Sequence, residues 1–377
     1  MKVLIVDDSV VFRRQISEVL EELPEFQVVS SASNGKIALK KLEHYDIDLM
    51  IIDLEMPVLD GESTIKEIKN LNVRPKIVVF TSNSMSGASH ALNALELGAD
   101  DFALKPSGSG GSIEEVRDQI ASELVPKLMQ FIKPKVPPAK AVSTENAPVD
   151  SKTKAPRYRY NQDTSEHKVK KNESAWVKVK LDIFKPKAIV IASSTGGPAA
   201  LEELFEGLPE LPFPIFIAQH MPPIFTAQLA NRLDRVTDNK VSEASEGDLV
   251  EPGKVYLAPG GYHMNLESQN DICKIRLNQG ARRNFVIPAA DYTFESSSQV
   301  YKNYLLGFVL TGMGSDGCDG AIAIKNGGGG IVIQDSDSST VWGMPGAVHE
   351  EKAFDAVKSL SQCRELILSY SHYGDEK

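Results

Sequence analysis

The stretch IVIASSTGGP, residues 189–198, decides how the larger part of this chain is read. Its first half is β-branched and apolar, as in a buried strand. It then stops abruptly at two serines, a threonine and two glycines, and helix-compatible sequence follows. Such a strand-to-helix turn lifts a hydroxyl out of the backbone at the C-terminal edge of a parallel sheet, where α/β proteins place ligands. Read as Ala192, Ser193, Ser194, Thr195, Gly196, the turn fits the nucleophile-elbow pattern G-x-S-x-G with alanine for the first glycine, a register that selects Ser194 over Ser193. The competing readings are a turn whose glycines only permit tight packing and a loop that cradles phosphate.

Working outward, 377 residues suggest two or three domains, and the sequence supports two. Charged residues make up 24% and hydrophobic ones 42%, an ordinary balance for a soluble globular protein. No apolar run approaches the ~20 residues that cross a bilayer, and the start, MKVLIVDDS, is too short in apolar residues for a secretory signal. A cytoplasmic protein without membrane insertion is expected, and as a monomer. Cys273, Cys318 and Cys363 are too few and too scattered for a disulfide framework or a C-x-x-C metal site. A formal net charge of −10 argues against general nucleic-acid binding, which needs clustered cations.

Residues 1 to 131 alternate strand-like runs (Lys2 to Val6, Gln27 to Ala32, Leu49 to Ile52, Lys76 to Phe80, Asp101 to Leu104) with helical spacing at Ser9 to Leu23, Asn34 to Glu43, Glu62 to Asn70, Ala88 to Leu97 and from Ser112. A fivefold βα alternation predicts a parallel sheet covered on both faces, with function at the C-terminal strand ends. Asp7 and Asp8 end the first strand, Asp53 the third and Thr81 the fourth, while Lys105 and Pro106 follow the fifth. Three convergent carboxylates repel one another, so a hard divalent cation such as magnesium is the expected neutraliser. A carboxylate beside that metal can attack a phosphoryl group, with Lys105 and the Thr81 hydroxyl placed to meet its oxygens.

This set, with DLEMPVLDG at 53–61 and LELGADDFALKP at 95–106, closely resembles the receiver domain of bacterial response regulators. The resemblance implies a flavodoxin-like five-stranded fold, phosphorylation of Asp53 by a histidine-kinase partner, and magnesium held at Asp7, Asp8 and Asp53. It also implies phosphoryl sensing by Thr81 and Lys105, and a Lys105–Pro106 bond that is often cis.

From Lys133 to Ile183 prolines, polar residues and twelve Lys or Arg against six Asp or Glu mark a linker near +6, leaving the rest of the chain near −16. The charges solvate a tether or lay it on an acidic surface, and Trp176 is expected to begin docking on the second domain. We expect the receiver over 1–131, the linker over 132–183 and the second domain over 184–377.

Residues 187–370 alternate again, with strand-like runs at Ala188 to Ala192, Pro214 to Ala218, Lys254 to Ala258, Tyr304 to Leu310 and Gly330 to Gln334. Helical spacing lies at Ala199 to Gly207, Thr226 to Arg235, Asp291 to Asn303 and Gly320 to Lys325, predicting a doubly wound, mostly parallel sheet. A serine needs a base within hydrogen-bond reach and a third group to orient that base. His220, after PIFIAQ, stands at a strand end; His263 and His349 are rivals. For the acid, Asp316 lies in a glycine-rich turn after LLGFVL, with Asp319 three residues on, and backbone amides near Met313 suit an oxyanion hole. Spacing alone leaves these permutations open.

The segments ASSTGGP, IAQHMPP, YLAPGGYHM, VLTGMGSDG and VWGMPGA, in that order, resemble the catalytic domain of the chemotaxis protein-glutamate methylesterase family, CheB, an α/β hydrolase domain joined to a receiver. The resemblance implies Ser194 as nucleophile, His220 as base, Asp316 as orienting acid and Thr195 in the supporting network. It implies hydrolysis of glutamate methyl esters, and deamidation of glutamines, on chemoreceptors (methyl-accepting chemotaxis proteins), with no cofactor for the esterase reaction. This chain departs from the family where Ala192, Ser193, Ser194, Thr195 replace the usual Gly-Ala-Ser-Thr, and where Ile287, Pro288, Ala289, Ala290, Asp291 replace Arg-Pro-Ser-Val-Asp. A receiver on a hydrolase also suggests that phosphorylation of Asp53 uncovers Ser194, so that a fragment from Lys185 outpaces the unphosphorylated chain. The competing function classes are a non-enzymatic, receiver-switched receptor adaptor and a nucleotide-dependent enzyme using SSTGG as a phosphate loop.

Overall fold

Five short apolar runs form the first sheet: Lys2–Val6 (β1), Gln27–Ala32 (β2), Leu49–Ile52 (β3), Lys76–Thr81 (β4) and Asp101–Leu104 (β5), in the order β2-β1-β3-β4-β5 and all parallel. The computed structural model describes residues 1–71, 74–106, 112–132, 169–172, 176–270 and 272–371. Between these strands run Val10–Glu21 (α1), Gly35–Leu42 (α2), Gly61–Lys69 (α3) and Met85–Leu97 (α4), followed by Ile113–Met129 (α5). Each helix starts at a small polar residue whose side chain accepts a first-turn amide: Ser9, Asn34, Asp60, Ser84 and Ser112. These caps satisfy donors that have no intrahelical partner, so short helices begin at defined residues.

The second sheet has seven parallel strands: Ala188–Ser193 (β6), Ile215–Gln219 (β7), Lys240–Glu243 (β8), Lys254–Leu257 (β9), Leu305–Val309 (β12), Gly330–Gln334 (β13) and Ala356–Lys358 (β14). His263–Gln269 (β10) and Ile272–Asn278 (β11) make a separate antiparallel hairpin. Its order, β14-β13-β12-β6-β7-β9-β8, puts β6 in the middle, with β12 on one side and β7 on the other. The chain reverses direction across the sheet there, the switch point at which doubly wound folds open a crevice. All six residues of β6 are buried. Gly197–Phe205 (α6), Phe225–Leu233 (α7) and Leu360–Ser369 (α11) contribute to one apolar cluster. Ala290–Tyr301 (α8), Cys318–Asn326 (α9) and Met344–Glu350 (α10) contribute to another on the opposite face.

The edge strands β8 and β14 are only four and three residues long, and they and the hairpin are revealed by the tertiary fold. The strand expected from Tyr304 is preceded by a 3-10 turn at Lys302–Tyr304 and starts at Leu305. Among the described residues the cis proline bond is Ile287–Pro288, whereas Lys105–Pro106 is trans.

Trp176 docks on the second domain, its indole N–H donating to Asn326 Oδ1 at 2.8 Å. Val179 N donates to Asp355 Oδ1 at 2.8 Å, and Lys325 Nζ bridges that same oxygen (2.7 Å) and Val177 O (3.1 Å). The buried Lys325–Asp355 pair thus receives an extended strap of chain. Lys171 pairs with Glu351 at 3.1 Å, one ion pair of the basic linker with an acidic surface group. The rest of that linker, 133–168, lies outside the described residues.

The two sheets meet through α4 and β5 on one side and α6 and α7 on the other. Phe102 stacks on Phe225 with ring centroids 4.7 Å apart and planes 4° from parallel. Arg232 on α7 reaches Asn93 and Glu96 on α4. One apolar cluster runs through both domains, so the arrangement is held by core-like burial as well as by charges.

Candidate active site

The adjacent strands β6, β7 and β12 carry Ser194, His220 and Asp316 beyond their C-terminal ends. His220 Nε2–H donates to Asp316 Oδ2 at 2.7 Å, between side chains 10% and 2% exposed. That bond fixes the ring and leaves Nδ1 as the nitrogen able to accept a proton. Ser194 is half-buried; its backbone N–H donates to Thr311 O at 3.0 Å. The His220 backbone N–H donates to Ser193 O at 3.1 Å, which ties the base to the serine turn. Among the described residues no hydrogen bond joins the Ser194 and His220 side chains. Such bonds often close only around substrate.

Asp316 is held by convergent donors. Besides His220, its oxygens accept from Ala290 N at 2.6 Å, Asp291 N at 3.2 Å and Asn284 Nδ2 at 3.1 Å. Burial by itself raises its pKa, but the His220 hydrogen bond and charge, with these further donors, outweigh it and bring the carboxyl down to about 2. The neighbouring Asp291 goes the other way: burial and the Asp316 charge raise it well above the ordinary value, against the nearby Arg283 cation. Asp291 instead faces the Arg283 guanidinium at 3.3 Å and accepts from Gly320 N and Asn284 Nδ2, both at 2.8 Å.

The rival groups are engaged elsewhere. His263 is fully buried; Nδ1 accepts from Ala289 N and Nε2 donates to Ala281 O, both at 3.1 Å, and burial lowers its pKa. That ring is locked in its neutral form. His349 packs between Trp342 and Phe354. Asp319 pairs with Arg283 at 3.1 Å rather than with a histidine. Ser193 points inward, fully buried, and donates to Gln219 Oε1 at 2.6 Å.

Close backbone approach shapes the cleft. A Cβ on Gly312 would lie 2.7 Å from Ser194 Cβ, so glycine alone lets the turn carrying Met313 press against the serine. Gly196 combines φ +76° with a Cβ position 2.4 Å from Thr340 Oγ1, a site only glycine fills without strain. Met313 is 41% exposed at the rim.

Thr195 is covered by the receiver. Its hydroxyl donates to Asp101 Oδ2 at 2.6 Å, in a buried contact across 94 positions of sequence. Gln130 Nε2 (3.0 Å) and Lys127 Nζ (3.3 Å) hold that same carboxylate. Nothing in the local sequence of β5 signals this contact.

In the receiver, Asp7, Asp8 and Asp53 each offer a carboxylate oxygen within 4.8 Å of the others. Lys105 Nζ lies 2.8 Å from Asp53 Oδ2 and 3.0 Å from Asp7 Oδ2. Burial raises the pKa of both acids against the opposing lysine, and lowers that of Lys105, where the two carboxylates more than compensate. Asp7 Oδ2 is buried and faces Lys105 without hydrogen-bond geometry. An under-satisfied buried oxygen in a three-carboxylate cluster fits a hard divalent cation. Thr81 Oγ1 donates to Gly87 O at 3.4 Å, toward α4 rather than toward Asp53.

Fold and site together define a response-regulator architecture, a receiver joined to an α/β effector domain with a serine, a histidine and an aspartate at adjacent central strand ends. The model of the response regulator receiver domain matches residues 3–117, and that of the CheB methylesterase matches residues 189–367. A protein-glutamate methylesterase/protein-glutamine glutaminase of Trichodesmium erythraeum is 36% identical, covering 97% of this chain and 98% of the relative. One from a Nocardioides species is 37% identical, covering 92% and 89%. The solved CheB methylesterase catalytic domain of Thermotoga maritima is 40% identical with a TM-score of 0.48, covering 49% of this chain and 98% of that one. The chain belongs to the protein-glutamate methylesterase/protein-glutamine glutaminase family, CheB. None of the described helices is long and apolar enough to cross a membrane.

Proposed function

We propose that the chain hydrolyses glutamate methyl esters on chemoreceptors, and deamidates particular glutamines, by a Ser-His-Asp mechanism. The observation that carries this reading is the buried His220–Asp316 hydrogen bond beside the Ser194 turn. His220 Nδ1 takes the Ser194 proton as Oγ attacks the ester carbonyl, and Met313 in the adjoining turn contributes a backbone N–H to the developing oxyanion. The C–O bond to the methoxy group breaks, and His220 returns the proton to methanol. Water, deprotonated by His220, then attacks the acyl-enzyme and releases glutamate and Ser194. A glutamine follows the same route with ammonia as leaving group. The direct test is methanol release from methylated receptor membranes by the full chain, with and without a phosphodonor.

The receiver supplies control. A histidine kinase is the proposed phosphodonor and Asp53 the acceptor, with magnesium held by Asp7, Asp8 and Asp53 supplying charge neutralisation at the phosphoryl oxygens. Asp53→Asn is expected to abolish incorporation of labelled phosphate and stimulation by phosphodonor, while leaving basal methanol release within about twofold. Stimulation that survives in Asp53→Asn would assign phosphorylation to another residue.

Asp101 on Thr195 and Phe102 on Phe225 support autoinhibition by cover. A fragment beginning at Val169, which keeps the Trp176 strap but lacks the receiver, is expected to exceed the unphosphorylated full chain. A coupling of about 1–3 kcal/mol corresponds to roughly 5- to 150-fold. Asp101→Ala in the full chain removes one contact and is expected to give a smaller rise. A fragment no faster than the unphosphorylated chain would show that the receiver does not restrain the site.

A further inference from the structure

Ser193 and Gln219 sit beneath the proposed triad and have no part in the chemistry written above. Gln219 is the last residue of β7, 1% exposed, and its side chain crosses to the turn after β6. Its amide nitrogen donates to Ser194 O at 3.0 Å and to His220 O at 3.2 Å; its amide oxygen accepts the Ser193 hydroxyl at 2.6 Å. One side chain thus holds the main chain of the nucleophile and of the base together.

The orientation of that amide is dictated by its surroundings. Turned over, its oxygen would face two carbonyl oxygens, an arrangement with no donor. The Ser193 hydroxyl, able to give or accept a proton, completes the set by donating to Oε1. Gly197 leaves the room required: a Cβ there would lie 2.0 Å from Gln219 Oε1 and 3.0 Å from Ser193 Cβ. Gly197 N also donates to Ser194 O at 2.7 Å, so the nucleophile's carbonyl has two fixed donors.

We propose that Gln219 is a positioning residue for the reaction, holding the Ser194 turn in register with His220, and that Ser193 locks its amide in the working orientation. The proposal rests on the triad reading. It gives a role to the buried Ser193 hydroxyl. Misplacing reacting groups by about 1 Å costs on the order of a hundredfold, and buried amide networks act as units.

The test uses the full chain with methylated receptor membranes, and Ser194 labelling by a fluorophosphonate as a second readout. Gln219→Met keeps the volume and removes the hydrogen bonds. It is expected to lower kcat and the labelling rate together by roughly ten- to a hundredfold, with KM within twofold and the thermal midpoint still that of a folded chain. Ser193→Ala, which removes only the hydroxyl, is expected to lower both rates about three- to tenfold. In the Gln219→Met background it should add less than twofold, because the amide it orients is gone. Two results overturn the proposal: wild-type rates in both single variants, or losses that simply multiply in the double variant. Should Gln219→Met fail to fold, the Ser193→Ala rates decide, unchanged kcat and labelling counting against the lock and hence the proposal. Ser194→Ala run alongside separates the two readings: an active Ser194→Ala removes the triad itself, whereas an inactive Ser194→Ala with unperturbed Gln219→Met and Ser193→Ala removes only the positioning role.

Discussion

Ser194→Ala is expected to stop methanol release from methylated receptor membranes, lowering kcat by about 10⁴-fold or more. The size follows from the chemistry: without the hydroxyl there is no acyl-enzyme, and His220 is left with only a mispositioned water to activate. Removing a triad member leaves residual catalysis from the remaining donors and from binding, so a small background rate is compatible with the mechanism. Folding should be unaffected, since Ser194 is half-buried and its main-chain bonds to Thr311 and Gly197 do not use the hydroxyl. The adaptor reading makes the opposite forecast, because an adaptor keeps its output without the hydroxyl. Undiminished methanol release in Ser194→Ala would defeat the serine mechanism. Ser193→Ala gives the contrast, since the buried Ser193 hydroxyl is committed to Gln219 and a far smaller loss is expected there.

Asp316→Asn is expected to lower kcat by about 10³- to 10⁴-fold with little change in KM. Donors approach both carboxyl oxygens: His220 Nε2, Ala290 N, Asp291 N and Asn284 Nδ2. An asparagine must turn its NH₂ toward one side of that set. If it takes the Oδ2 position, the ring loses its Nε2–H acceptor and the tautomer that leaves Nδ1 free, and Ala290 N is orphaned; if it takes the Oδ1 position, Asp291 N and Asn284 Nδ2 lose theirs. Retention of most of kcat in this variant would remove Asp316 from the mechanism. The same group makes a pH forecast. Its folded pKa, about 2, lies below the ordinary 3.8, so the stability it confers is fully present above about pH 4 and is lost as pH falls toward 2. The difference in denaturation midpoint between wild type and Asp316→Asn should therefore narrow on acidification from pH 6 to pH 3. A gap that stays constant would mean that the carboxyl is not held in its charged form.

Much of this was legible because strands advertise their ends. In the receiver, four-to-six-residue apolar runs stop at Asp7, Asp53, Thr81 and Lys105, and a parallel sheet gathers such ends at one edge. In the second domain Ser194, His220 and Asp316 stand after three apolar runs for the same reason. What spacing could not do was choose among candidates. His263 also follows a strand, and only its two backbone hydrogen bonds, within a fully buried pocket, retire it. Ser193 and Ser194 look alike in sequence, whereas one hydroxyl is sealed against Gln219 and the other residue is half-buried. The hairpin from His263 to Asn278 does alternate, Met264 and Leu266 with Asn265 and Glu267, and Cys273, Ile275 and Leu277 with Lys274 and Arg276, but it lies outside the βα alternation that the sequence reading followed.

The sequence by itself determined the two parallel sheets, the carboxylate cluster of the receiver and the three strand ends that supply serine, histidine and aspartate, because periodicity and local turn chemistry act over a few residues. Tertiary structure alone decided which of the two adjacent serines is sealed against Gln219, which histidine bonds Asp316, and that Asp101 of the receiver reaches Thr195. Those outcomes depend on packing between segments as much as 96 residues apart, where burial and hydrogen-bond geometry, rather than local propensity, select the partner.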